Sequence, residues 1–141
     1  IILDNDPNFY YTGRLKIDAE KTDRELSTVT LSGDVDPYKM EVHSSTEDWL
    51  WDDFNFETDI ARDYRDIEVS GECTLNIYGR RKRVIPVFEC FAPLAIEYLG
   101  KSYNLPAGKS KVFDIWTQEG DNFLTFRGHG KVTIDYRGGS L

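Results

Sequence analysis

The feature that most constrains this chain is its two-residue alternation. Apolar and β-branched residues recur at every second position in short runs, and helical periodicity is almost absent. Such a pattern suits half-buried strands, so the expected fold class is all-β. Phe9 to Ile17 reads as one strand, Asp18 to Arg24 as a charged connection, and Leu26 to Val35 as the returning strand. Asp36-Pro37 is expected to end it, because proline lacks a ladder donor. From Asp66 onward short strands follow one another. Ile67 to Ser70 is one. Cys73 to Tyr78 and Val84 to Phe91 are expected to form a hairpin closed by Arg80, Arg81, Lys82 and Arg83. That register sets Cys73, Leu75 and Ile77 opposite Cys90, Phe88 and Pro86. Leu94 to Leu99 and Ser102 to Leu105 form a tight hairpin around Gly100-Lys101. Lys111 to Thr117, Asn122 to Arg127 and Lys131 to Arg137 complete the set. Turn signals fall at Ala107-Gly108, Glu119-Gly120-Asp121 and Gly128-His129-Gly130. About eight strands at this spacing predict a β-sandwich or jelly roll.

At 141 residues the chain has room for one domain, or one small domain and part of another. No apolar run approaches the length of a membrane span. Ile1 to Asn8 lacks the basic start and small-residue cleavage site of a signal peptide, and Ile1-Ile2-Leu3 reads as the inside of a strand. The chain reads as a fragment of something longer. Glu41 to Asp59 is the least regular stretch. It can hold one helical turn capped by Ser45 or Thr46, with Glu47 and Asp48 in it. Its Trp49, Trp51, Phe54 and Phe56 read as anchors of a linker onto a neighbouring surface. Residues 1–72 carry nineteen acidic against seven basic side chains, a balance of −12, and residues 73–141 a balance of +4. The net charge of −8 disfavours nucleic-acid binding. The asymmetry can still orient an assembly.

Little here points to catalysis. A hydrolytic triad would need His43 or His129 as its base. His129 sits in turn chemistry between two glycines, and no nucleophile elbow surrounds His43 with Ser44 and Ser45. With 25 acidic residues, paired carboxylates arise by chance. No enzyme, metal or cofactor is expected. Asp4, Asn5, Asp6 and Asn8 imitate a calcium loop, but Phe9 and Leu15 stand where its Gly and Glu belong. Cys73 and Cys90 are either a cross-strand disulfide or, the favoured reading, two small buried thiols. Arg80, Arg81, Lys82 and Arg83 are the one concentrated run of positive charge. They form either a solvated tip that discourages edge pairing, the favoured reading, or a docking point for an acidic partner. Tyr78, Tyr98, Tyr103 and Trp116 either stack on sugars or fill a core.

Several segments together resemble a known family. They are Phe9-Tyr10-Tyr11-Thr12-Gly13-Arg14-Leu15, then Val35 to Lys39, Trp49-Leu50-Trp51-Asp52-Asp53-Phe54-Asn55-Phe56-Glu57, Glu119 to Phe126, and Val132 to Leu141 with its terminal Tyr-Arg-Gly-Gly-Ser-Leu. In this order they look like the distal tail protein family of long-tailed phages and prophages of Gram-positive bacteria. The resemblance implies a structural part of a tail tip, found in the virion tail and assembled in the bacterial cytoplasm. It implies a homo-hexameric ring whose partners are the tail tube, a tail-associated lysin and a receptor-binding protein, with DNA only as passing cargo of the channel and no membrane partner. It implies residues 1–40 as a hairpin remnant of the N-terminal ring domain, 41–57 as linker and 58–141 as a galectin-like or jelly-roll β-sandwich. The candidate interface is then Trp49, Trp51, Phe54, Phe56 and Arg80 to Arg83. The alternative function is a carbohydrate-binding module for host cell-wall glycans. The galectin sugar signature is missing, Trp116 to Glu119 being only a superficial echo of it.

Overall fold

The computed structural model describes residues 1–22, 27–47 and 63–141, with backbone alone at 19–22 and 27. Among them there is no helix; the chain is all-β, as the alternation requires. Two antiparallel sheets carry ten strands. The first sheet runs in the order β1 (Ile2–Leu3), β2 (Asp6–Thr22), β3 (Ser27–Glu41), β10 (Gly139–Ser140). The second is built around β9 (Gly120–Asp135). It includes β4 (Ile67–Gly79), β5 (Val87–Cys90), β6 (Leu94–Tyr98), β7 (Lys101–Leu105) and β8 (Gly108–Ser110).

Most of the first sheet is a two-stranded ribbon. β2 and β3 pair from Phe9–Glu41 out to Thr22–Ser27. Seventeen residues at about 3.3 Å each make β2 about 55 Å long. Both strands outrun the expectation. Asp36-Pro37 does not end β3; between the pairs Tyr11–Lys39 and Gly13–Val35, three residues of β3 face Thr12 alone. The bulge leaves proline without a ladder bond to donate, so the strand continues. Gly13 is required there, since a Cβ on it would lie 2.4 Å from the Asp34 carbonyl oxygen. A second irregularity at Asp18 absorbs the first residue of the expected connection. Residues 23–26, between the two strands in sequence, lie outside the described residues.

The second sheet curls on itself. β4 pairs with β9 along its whole length, from Ile67–Val132 to Gly79–Gly120. β6 borders the first half of β9 and β5 the second. The expected hairpin of β4 with the 84–91 segment is therefore replaced: Cys73 faces Phe126 and Cys90 faces Val132. Both thiols are free, and burial pushes that of Cys90 up. Gly128-His129-Gly130 is not a turn but the middle of β9. There Gly71 and Gly128 face each other, both with positive φ (88° and 131°), a conformation open to glycine in either strand. The strands stay paired while the backbone takes up the bend. In consequence Phe88 on β5 meets Phe126 on β9 edge to face at 6.1 Å. Ile77, Ile96, Leu124, Phe126, Val132 and Ile134 join them in one buried core. At about 25 cal/mol per Å² of apolar area, this core is the main stabilising term.

Two smaller expectations divide. The tight hairpin is present, but its turn is Leu99-Gly100, one residue before the expected Gly100-Lys101: Tyr98 pairs with Lys101, and both turn residues have positive φ (49° and 77°). The strand expected over Lys111 to Thr117 is mostly irregular, joined to Val84 by one bridge at Thr117. The expected turn at Ala107-Gly108 falls where β7 gives way to β8: Ala107 is in a bend, and Gly108, with positive φ (94°), opens β8, which pairs with β5.

Candidate functional site

The expected interface residues divide at once. Trp49, Trp51, Phe54 and Phe56 lie outside the described residues. Arg80, Arg81, Lys82 and Arg83 lie between β4 and β5, and three of them turn onto their own chain. The Arg80 guanidinium is ion-paired with Glu41 and stands over the Phe9 ring at 5.2 Å. Lys82 lies over Tyr38 and its backbone N–H donates to the Gly139 carbonyl at 3.0 Å. Arg83 stacks over Trp116 at 5.7 Å. Arg81 points outward, with Glu119 at 3.8 Å.

These contacts build a junction between the two sheets. Glu41 ends β3 and is buried, with 8% of its surface exposed. Its carboxylate takes Arg80 on one oxygen and the Gly138 N–H on the other, the latter at 2.8 Å. Its own N–H donates to the Gly138 carbonyl at 2.9 Å. The chain then adds Gly139 and Ser140 to the edge of β3, opposite Met40 and Lys39. Glycine is needed at 139, where a Cβ would come within 2.7 Å of the Lys82 Cβ and 2.9 Å of the Met40 sulfur. Ser45 closes the far side. Its hydroxyl donates to the Ile134 carbonyl at 2.8 Å and accepts from the Tyr136 N–H at 2.9 Å. It is not a helix cap; Ser44 instead accepts from the Thr46 N–H, and the segment makes one turn closed by the Glu47 N–H to the Ser44 carbonyl.

Past the junction the ribbon is bare. The face that carries Phe9 and Glu41 at its base continues through Leu15, Ile17, Val35, Leu31 and Val29. All five are exposed, Ile17 at 68% and Leu31 at 61%. The opposite face holds Arg14, Lys16, Ser32 and Asp34. Among the described residues the outer edges of the ribbon are open too, past Tyr11 on β2, whose N–H and carbonyl both bond Ile1, and past Lys39 on β3. Among the described residues, β1 reaches β2 only at Asp6 and Tyr10, and β10 reaches β3 only at Lys39 and Met40.

The other singled-out residues scatter. His43 meets Glu47 at 2.9 Å on the surface, and His129 is exposed on β9 opposite Ser70. Asp6 binds Lys39 at 2.5 Å rather than joining a loop of carboxylates. Tyr98 is a core residue whose hydroxyl donates to the Trp116 carbonyl, while Tyr78 is 42% exposed. Sequence reasoning missed Glu41 and the Gly138-Gly139 pair. A lone acid at a strand end and two adjacent glycines were their only signals. Comparison with family models, curated proteins and solved structures finds no match.

Proposed function

We propose that the chain is a structural component of a phage or prophage tail tip, a distal tail or baseplate hub protein that joins the tail tube to adsorption parts. One observation carries this reading: among the described residues the ribbon holds an uncovered apolar face, Leu15, Ile17, Val29, Leu31 and Val35, with open edges on both sides. A two-stranded ribbon is marginal in water by itself, and an apolar stripe rimmed by polar residues marks an interaction surface. A second copy is the occupant that fits best, because a stripe repeated on every subunit closes into a ring when the contact is heterologous. The junction suits the same role, since it holds the base of a long arm to a packed body. The segments that resemble distal tail proteins give the ring its expected order of six and its place between tube and receptor-binding parts. On this reading the curled sheet is the galectin-like, jelly-roll-type outer domain. Electron microscopy of the intact gene product tests it. Six-membered rings with a central channel are expected; isolated particles of single-subunit size at every concentration would sink the reading.

A further inference from the structure

We propose that the outward face where β4 ends and β9 begins binds a neutral glycan chain. Two aromatic rings serve as its platform, and an adjoining groove receives its hydroxyls. The register sets Asn76 opposite Phe123 and Tyr78 opposite Asp121, all four on the outer face. Phe123 is 61% exposed and Tyr78 42%, unusual for rings with a core available to them. They occupy one diagonal of the square, about 7–8 Å apart. The other diagonal is a hydrogen bond: the Asn76 amide donates to Asp121 Oδ1 at 2.8 Å. A sugar ring offers a C–H face and a rim of hydroxyls. This square offers π-faces for the first, and for the second a carboxylate and an amide already held in place.

Tyr78 also lines a groove of about 290 Å³, walled by Arg80, Arg81 and Glu119 and reaching Ser140. The groove is built rather than incidental. Asn122 is 3% exposed; its amide nitrogen donates to the carbonyls of Gln118 and Gly120, with that of Ile77 at 3.2 Å sharing a hydrogen, and its oxygen accepts from the Gln118 N–H. Those bonds fix the loop that carries Glu119 before any ligand arrives. The Tyr136 hydroxyl donates to the Tyr78 carbonyl at 2.7 Å and fixes the other wall. Such pre-organisation removes the ordering cost that weakens most polar sites. Charge selects the ligand class. Arg80 is paired with Glu41 and Arg81 stands against Glu119, so both cations of the groove are already matched, and Asp121 adds one negative charge; the site suits a neutral, hydroxyl-rich chain better than a polyanion. The site shares no residue with the apolar face of the ribbon, so it stands or falls separately from assembly.

Saturation-transfer NMR of the chain with a panel of neutral oligosaccharides (gluco-, galacto-, manno- and N-acetylglucosamine chains, each at about 10 mM) tests the site, since contacts of this kind give millimolar Kd. Transfer to at least one panel member is expected. Phe123→Ala should weaken it about tenfold, and Asp121→Asn should weaken it as well. Both residues face outward, so the Tm of either variant should stay within about 2 °C of the parent. No transfer from any panel member overturns the proposal, as does binding unchanged in Phe123→Ala, or binding confined to heparin as a polyanionic probe.

Discussion

Leu99 shows how much a single backbone angle can matter. It is 73% exposed and holds φ at 49°, a left-handed conformation that costs a branched residue about 1 kcal/mol. Leu99→Asn keeps the turn and relieves that cost, so a gain of about 0.5–1 kcal/mol is expected in urea unfolding. Glu47 makes a smaller, pH-dependent contribution. The hydrogen bond with His43 holds its carboxyl below the ordinary 4.5, against an opposing effect of burial, with the Ser44 backbone and Arg137 assisting. Its folded-state pKa is therefore depressed. The stabilisation is full above the unfolded value and is lost as pH falls through the folded one, below about 4.5. Both side chains are largely exposed, so the amount is about 0.3 kcal/mol after solvent screening. Glu47→Gln should be nearly neutral at pH 3 and slightly destabilising at pH 6 in thermal melts. The sequence marked a tight turn at Gly100, because glycine betrays a positive φ, but set it at Gly100-Lys101, one residue late. It could not mark Glu41, because a buried carboxylate looks like any other until its partner, 39 residues away, is in place.

At the level of elements, alternation fixed faces but not partners. Cys73, Leu75 and Ile77 point inward, as do Pro86, Phe88 and Cys90, as a two-residue period demands. Yet the two segments do not pair. Either neighbour would bury the same faces, and β9 offers β4 thirteen consecutive partners. The cost of that length is a bend, and the glycines that supply it mimic a turn when read in sequence. The same ambiguity hid the continuity of β2 and β3 through Pro37, since a bulge leaves no mark on composition. The junction joins these elements, and Glu41→Ala tests it. That change removes the Arg80–Glu41 ion pair and the acceptor of the Gly138 N–H, at a cost of about 2 kcal/mol. A Tm drop of several degrees is expected in calorimetry. A melt unchanged by the substitution would show that the two sheets are held together by something else.

At the scale of the molecule, a packed body carries a long arm whose apolar side faces nothing among the described residues. Residues 1–41, which hold the arm, carry nine acidic against five basic side chains, a balance of −4, and residues 63–141 of the body ten against eleven, a balance of +1. Head-to-tail contact between copies would bring an acidic arm to a nearly neutral body, not to like charge. The fold class was legible in the sequence because strand periodicity is local. The arm's exposure was not, because exposure is a property of what surrounds a residue. Light scattering across a dilution series, on the parent chain and on Leu31→Asp, tests the central claim most directly. Leu31 is 61% exposed, so the aspartate is tolerated in the single subunit. The account predicts that the parent associates as concentration rises and that Leu31→Asp remains a monomer with an unchanged circular dichroism spectrum. Identical masses for the two proteins at every concentration would contradict it.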